Sequence, residues 1–192
     1  MGYVSLLIDL DIPAKLNLEI TRDFRLSSTN LNGRNTPALV QVTLEKLKAP
    51  SGIFLDRLWD RPDTMVIPEA EYMRLFPEFS YRNENDPSVW PVEKALFEKT
   101  LNTANDSLVN LIELMAGSPG SYRITLRSTD PFGQKVDKVM NFTAFDPGSR
   151  QIPVPEMNWF VPLTKSGEPG DTASFLIGSA CKEVQEIGRA HV

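Results

Sequence analysis

The chain is poor in the residues that most often carry chemistry. It has one cysteine, Cys181, and one histidine, His191, in 192 residues. A single cysteine excludes an internal disulfide framework. The lone histidine leaves no Cys/His spacing for a structural zinc site. It also falls in a tail that reads as foreign, so Ser/His/Asp and Cys/His nucleophilic sites are not expected. No apolar run approaches the roughly eighteen residues needed to span a bilayer as a helix. Positive charge is scarce as well: 20 Lys and Arg stand against 25 Asp and Glu, a net charge of −5. That balance argues against nucleic acid and anionic membrane surfaces as partners.

What is abundant is proline, 15 residues against 11 glycines. Proline suits edge strands, turns and inter-domain joints, and fits badly inside long helices. The hydrophobic fraction of 41% is ordinary for a globular chain and allows a sizeable core. The start, MGYVSLLIDLDI, has no basic segment, and Asp9 and Asp11 interrupt its apolar run, so it does not read as a signal peptide. Met1-Gly2 lacks the Ser or Thr that myristoylation wants, because position six is Leu6.

The strongest local signal is Gly120 to Phe142. Tyr122, Ile124, Leu126 and Ser128 alternate with Arg123, Thr125, Arg127 and Thr129, the period of a half-buried antiparallel strand. Asp130-Pro131-Phe132-Gly133 supplies turn chemistry, and the chain returns through Val136, Val139 and Phe142. Tyr3 to Leu10 reads as a first strand. Leu16, Leu18, Ile20, Phe24 and Leu26 read as a second, ending near Ser28 and turning at Asn30-Leu31-Asn32-Gly33. Leu39 to Leu47 returns, so residues 16–48 are expected to form a long hairpin.

Residues 49–91 change character. Leu58-Trp59-Asp60-Arg61-Pro62-Asp63 is a compact aromatic and proline element. Ile67 to Pro77 reads as a short helix, with Pro68 in its first turn and Glu69 and Glu71 at the positive end of the dipole. Val92 to Ala116 carries Leu96, Leu101, Leu108, Leu111, Ile112 and Met115 at mostly three- and four-residue steps. That spacing predicts a long helix stopped by Gly117. Asp146 to Pro155 has the composition of a joint, and Met157–Leu163 and Thr172–Gly178 read as two further strands. The final stretch, Glu186 to Val192, reads as the translation of a sequencing adapter, with the natural gene interrupted near Gln185.

The order Asn30-Leu31-Asn32-Gly33, Leu58 to Asp63, Phe76-Pro77, Trp90, Gly120-Ser121-Tyr122 through Gly133, Pro169-Gly170-Asp171-Thr172-Ala173 and Phe175 to Ser179 resembles an internal piece of a bacterial α2-macroglobulin-like protein. The type is the large envelope protein of Bacteroidetes-like organisms. The resemblance implies a mainly β fold, a fibronectin-III or immunoglobulin-like sandwich called a macroglobulin domain. That domain would cover residues 1–147 with a helical insertion at about 50–117. Residues 148–185 would open a second, truncated sandwich. It implies a non-catalytic structural segment of a protease-trapping protein in the periplasm or cell envelope. Its partners would be neighbouring domains of the same chain and, through the full-length protein, target proteases. No nucleic acid, no membrane insertion and no cofactor are expected.

The family's reactive thioester needs Cys-x-Glu-Gln. Cys181-Lys182-Glu183-Val184-Gln185 has one residue too many, so Cys181 is expected to be a buried strand cysteine. The family's bait region, where target proteases cut, would be flexible and variable; the loop Asn83 to Pro87 reads as exposed and cleavable, as any such loop would be. Glu69 and Glu71, two apart on a helix, do not face each other as a carboxylate pair. Asp56, Asp60 and Asp63 with Glu69 fit no EF-hand loop and read as solvated charges or caps. Gly117-Ser118-Pro119-Gly120 is too short and proline-rich for a phosphate loop. No residue is therefore expected to be catalytic, cofactor-binding or metal-ligating. The alternative is a glycan-binding or adhesin-type β-sandwich of a cell-surface protein, with Trp59, Trp90 and Trp159 as a stacking platform.

Overall fold

A computed structural model of the chain describes residues 5–20, 23–55, 57, 60, 62–164 and 166–185. Tyr3, Trp59 and residues 186–192, read above as an adapter and including His191, lie outside them. In chain order the elements are β1 (Leu6–Leu10), β2 (Lys15–Asn17), β3 (Phe24–Asn30), β4 (Leu39–Leu47), α1 (Glu69–Leu75), β5 (Val92–Asn102), β6 (Leu108–Val109), α2 (Leu111–Leu114), β7 (Gly120–Thr129), β8 (Lys135–Phe145), β9 (Trp159–Pro162) and β10 (Phe175–Gly178). The described chain is mainly β. It divides into two compact units: Met1–Ala49 with Pro87–Ser149, and Pro50–Asp86 with Arg150–Val192.

The first unit holds two open sheets, ordered β1-β3-β6 and β2-β8-β7-β4-β5. Their inner faces share one apolar core, as in a β-sandwich. Leu6, Ile8, Leu10, Phe24 and Leu26 come from one sheet and Val40, Val42, Leu44, Tyr122, Ile124 and Leu126 from the other. Each such side chain contributes about 1.5–3 kcal/mol by leaving water. Strand alternation produces this directly: in β1 Leu6, Ile8 and Leu10 point in while Leu7 and Asp9 point out.

The β7–β8 hairpin forms as its sequence predicts, with Tyr122 opposite Phe142 and Ser128 opposite Val136. The turn closes through Gly133, at φ 82°, whose N–H donates to the Asp130 carbonyl. Across the hairpin the Tyr122 and Phe142 rings stack at 5.5 Å.

Two expectations fail. Residues 16–48 are not a hairpin, because β3 pairs with β1 and β6 whereas β4 pairs with β5 and β7. The predicted turn does form: the Asn30 side chain accepts from the N–H groups of Asn32 and Arg34. Past the turn there is only a Thr29–Asn35 bridge. Pro37 has no N–H to extend the ladder, and the chain crosses to the other sheet. The run Leu16 to Ser28 is likewise divided, β2 lying parallel to the end of β8 and β3 joining the opposite sheet.

The long helix over Val92–Ala116 is also absent, and with it most of the helical insertion expected at about 50–117. Val92–Asn102 is an edge strand on β4, bulged after Leu44 and after Lys46. Glu93, Lys94, Ala95, Leu96, Glu98 and Lys99 are good helix formers. Pairing to β4 overrides that preference, and the charges suit an exposed edge that must resist further pairing. Only the end of the predicted stripe is helical: the single turn α2 puts Leu111 and Met115 into the core. Gly117, at φ 64°, ends it as expected.

In the second unit, α1 forms where Pro68, Glu69 and Glu71 predict it. β9 and β10 form an antiparallel pair, with Ile177 opposite Phe160 and Phe175 opposite Pro162.

Candidate functional site

The residues singled out from the sequence do not converge. Glu69 carries a 3.3 Å ion pair with Arg82, both side chains more than half exposed, and Glu71 is exposed. Asp60 and Asp63 are exposed, and Asp56 lies outside the described residues. Among the described residues no three His, Cys, Asp or Glu side chains gather into a possible metal site. Cys181 is half-buried and comes after β10 instead of lying in a strand. Its N–H donates to Ser179 Oγ, and Gln185 is exposed. The Asn83–Pro87 loop is largely exposed and closed by a bond from the Asp86 N–H to the Asn83 carbonyl.

Of the tryptophans, Trp159 is 3% exposed and Trp90 half-buried. Trp159 therefore cannot stack a sugar from solvent. Its burial comes from the strand alternation of β9, which also buries Val161.

Two polar groups in the first unit stand out by environment. Asp130 is buried at the β7–β8 turn. Burial by itself would raise its pKa. Four donors outweigh that: Gln134 N–H at 2.8 Å, Phe132 N–H at 2.9 Å, Ser5 N–H at 3.2 Å and Ser5 Oγ at 2.9 Å. Together they hold the carboxyl below the usual carboxylate range. The local part of this clamp is legible, since Asp before Pro-x-Gly favours bonds to its own turn. The bond to Ser5, 125 positions away, is not. Tyr122 is fully buried and donates to the Ser118 carbonyl at 2.5 Å. Burial raises its pKa; the hydrogen bond with Ser118 opposes this, and the Glu93 charge adds to it. Both groups act as ties within the fold.

A different kind of feature lies on the β9–β10 pair. One face is covered: Trp159 and Val161 are buried. The other face consists of Phe160, Pro162, Phe175 and Ile177, placed together by the strand register. Phe160 and Phe175 are each 54% exposed and Ile177 51%. The two phenyl rings meet at 5.8 Å. Gly178 lies so close to Ile152 and Trp159 that a Cβ there would meet Ile152 Cγ2 at 2.7 Å. The inner side is thus tightly filled while the outer side is apolar and open.

No family model matches this chain, and comparison with the curated proteins and with solved structures returns no match.

Proposed function

We propose that this chain is a non-catalytic structural segment of a multidomain envelope protein of the α2-macroglobulin type, a protease trap. The observation that carries the proposal is the apolar outer face of β9–β10. A two-stranded sheet is at best marginal alone, and four apolar side chains in water are unfavourable. Such a face is explained by a covering domain. The occupant we assign is a neighbouring domain of the same chain, completing a second sandwich on Phe160, Pro162, Phe175 and Ile177.

Within that reading the first unit is a macroglobulin domain of the fibronectin-III-like kind. Its support is topological. Three strands, β1-β3-β6, oppose β8-β7-β4-β5, and the chain crosses between sheets from β3 to β4 and from β5 to β6. Tyr122 supplies a second support. It sits near the start of β7, and its hydroxyl reaches back to Ser118, the geometry of a tyrosine corner in immunoglobulin-like sandwiches. The segment's role is mechanical: it holds domains in register so that cleavage elsewhere triggers closure around a protease. The place of action is the periplasm or cell envelope.

The test is to extend the reading frame from the source DNA in both directions and express the longer product. A long array of similar domains with an upstream secretion or lipoprotein signal, and protease capture by the product, are expected. A frame that ends near residue 192 would overturn the proposal.

A further inference from the structure

We propose that a small pocket in the second unit binds a carboxylate carried on an apolar body, the chemistry shared by a peptide's C-terminal residue and a free aromatic or aliphatic acid. This is independent of the protease-trap reading.

The pocket lies beside α1. The helix has seven residues, none of them buried, and no side-chain cap at Pro68. A helix this short does not hold itself in water. It is held by Tyr72, whose ring meets Phe76 at 5.2 Å and Tyr81 at 5.3 Å. Tyr81 donates to the Ile67 carbonyl at 3.2 Å, and Leu55 bridges Phe79, fixing the surrounding chain. These ties leave a cavity of about 280 Å³. Met65, Ile67, Phe76 and Phe79 contribute apolar wall, and Val66, 88% exposed, lies at its rim. The volume lies just under the usual range for small-molecule pockets, about 300–1,000 Å³, and suits one ring or branched chain.

Among the described lining residues the polar side chains are Arg57 and Tyr72. Arg57 is positioned before any ligand arrives. Its Nη2 donates to Tyr72 Oη at 3.0 Å and to the Ser80 carbonyl, and its guanidinium lies 5.8 Å from the Tyr72 ring centroid. Its Nε and Nη1 make no hydrogen bond among the described residues, and no carboxylate pairs with it there. A half-buried cation without a counter-ion attracts an anion, and the planar guanidinium suits a carboxylate. The apolar walls then select an acid with a hydrophobic body over a bare inorganic anion.

The experiment titrates the full chain with N-acetylphenylalanine, with its neutral amide, and with a hexapeptide ending in phenylalanine as acid or amide, monitored by amide and Arg Nε NMR shifts. Each acid should bind at least about tenfold more tightly than its amide, with shifts centred on Arg57 and Tyr72. Arg57→Gln should abolish the difference. Because Arg57 also ties Tyr72, a second variant, Val66→Asp, adds a negative charge at an exposed rim position and should weaken the acids without altering the fold. Binding by both acids, with the peptide tighter, assigns the site to chain termini. Binding by the small acid alone assigns it to free acids. Equal binding of acid and amide, no binding of any probe, or acid binding unchanged in Val66→Asp overturns the proposal.

Discussion

The β7–β8 and β9–β10 hairpins differ on their outer faces. Both bury an apolar inner face: Tyr122, Ile124, Leu126 and Phe142 in one, Trp159 and Val161 in the other. The outer face of β7–β8 carries Arg123, Thr125, Arg127 and Asp137, with Arg127 and Asp137 paired at 3.9 Å. Ser121, Thr125 and Phe145 on this face are buried, Val139 is its exposed apolar side chain, and one exposed valine is ordinary. The outer face of β9–β10 is apolar at all four positions. A sheet that ends at water alternates in polarity; a sheet apolar on both sides lies between two layers. The exposed outer side chains of β7–β8 are thus mainly polar, and those of β9–β10 apolar.

The largest expected effect comes from the inner face of β7–β8. Tyr122→Ala removes a fully buried ring and should cost about 3–5 kcal/mol in urea unfolding. Tyr122→Phe loses only the bond to Ser118 and should cost about 1–2 kcal/mol. Next, Gly178→Val should disorder the β9–β10 pair through its contact with Ile152, at about 1–3 kcal/mol. Amide exchange should rise there while β7–β8 protection stays unchanged.

A pH series sharpens the comparison. The folded pKa of Asp130 is lowered, so its contribution is complete above the unfolded carboxylate value, about 3.9. It is lost as pH falls through the lower folded value. Asp130→Asn should lower the thermal midpoint at neutral pH and flatten its fall below about pH 4. Equal acid sensitivity in wild type and variant would remove Asp130 from that role. The smallest effect is Lys138→Ala, which breaks the 2.6 Å pair with Asp9. Both side chains are more than a third exposed, so a change of at most about 1 kcal/mol in urea unfolding is expected.

The hairpins are legible in the sequence because their alternation and turn residues agree: Asp130 to Gly133 marks the turn that forms, and Phe160 with Ile177 sets a face. β5 is not legible. Its Glu, Lys and Ala residues favour helix, and the pairing that overrides them comes from β4, 45 or more residues earlier in the register. The crossing after Gly33 is hidden for a similar reason, since the Asn-Gly turn is real but Pro37 sends the chain to the other sheet. At the candidate sites, Trp159 reads from the sequence as part of a possible sugar platform, and its place on the inner face of β9, beside Gly178, is set by pairing with β10. The pocket at Arg57 is invisible in the sequence. It depends on residues 57, 72 and 80 meeting in space.

The most direct measurement is amide hydrogen exchange at Trp159–Pro162 and Phe175–Gly178, in this chain and in a product extended beyond it from the source DNA. Fast exchange in the shorter chain and strong protection in the longer one, with exchange along β7–β8 the same in both, is the expected result. Equal exchange of β9–β10 in both products would contradict the claim that a neighbouring domain covers its apolar face.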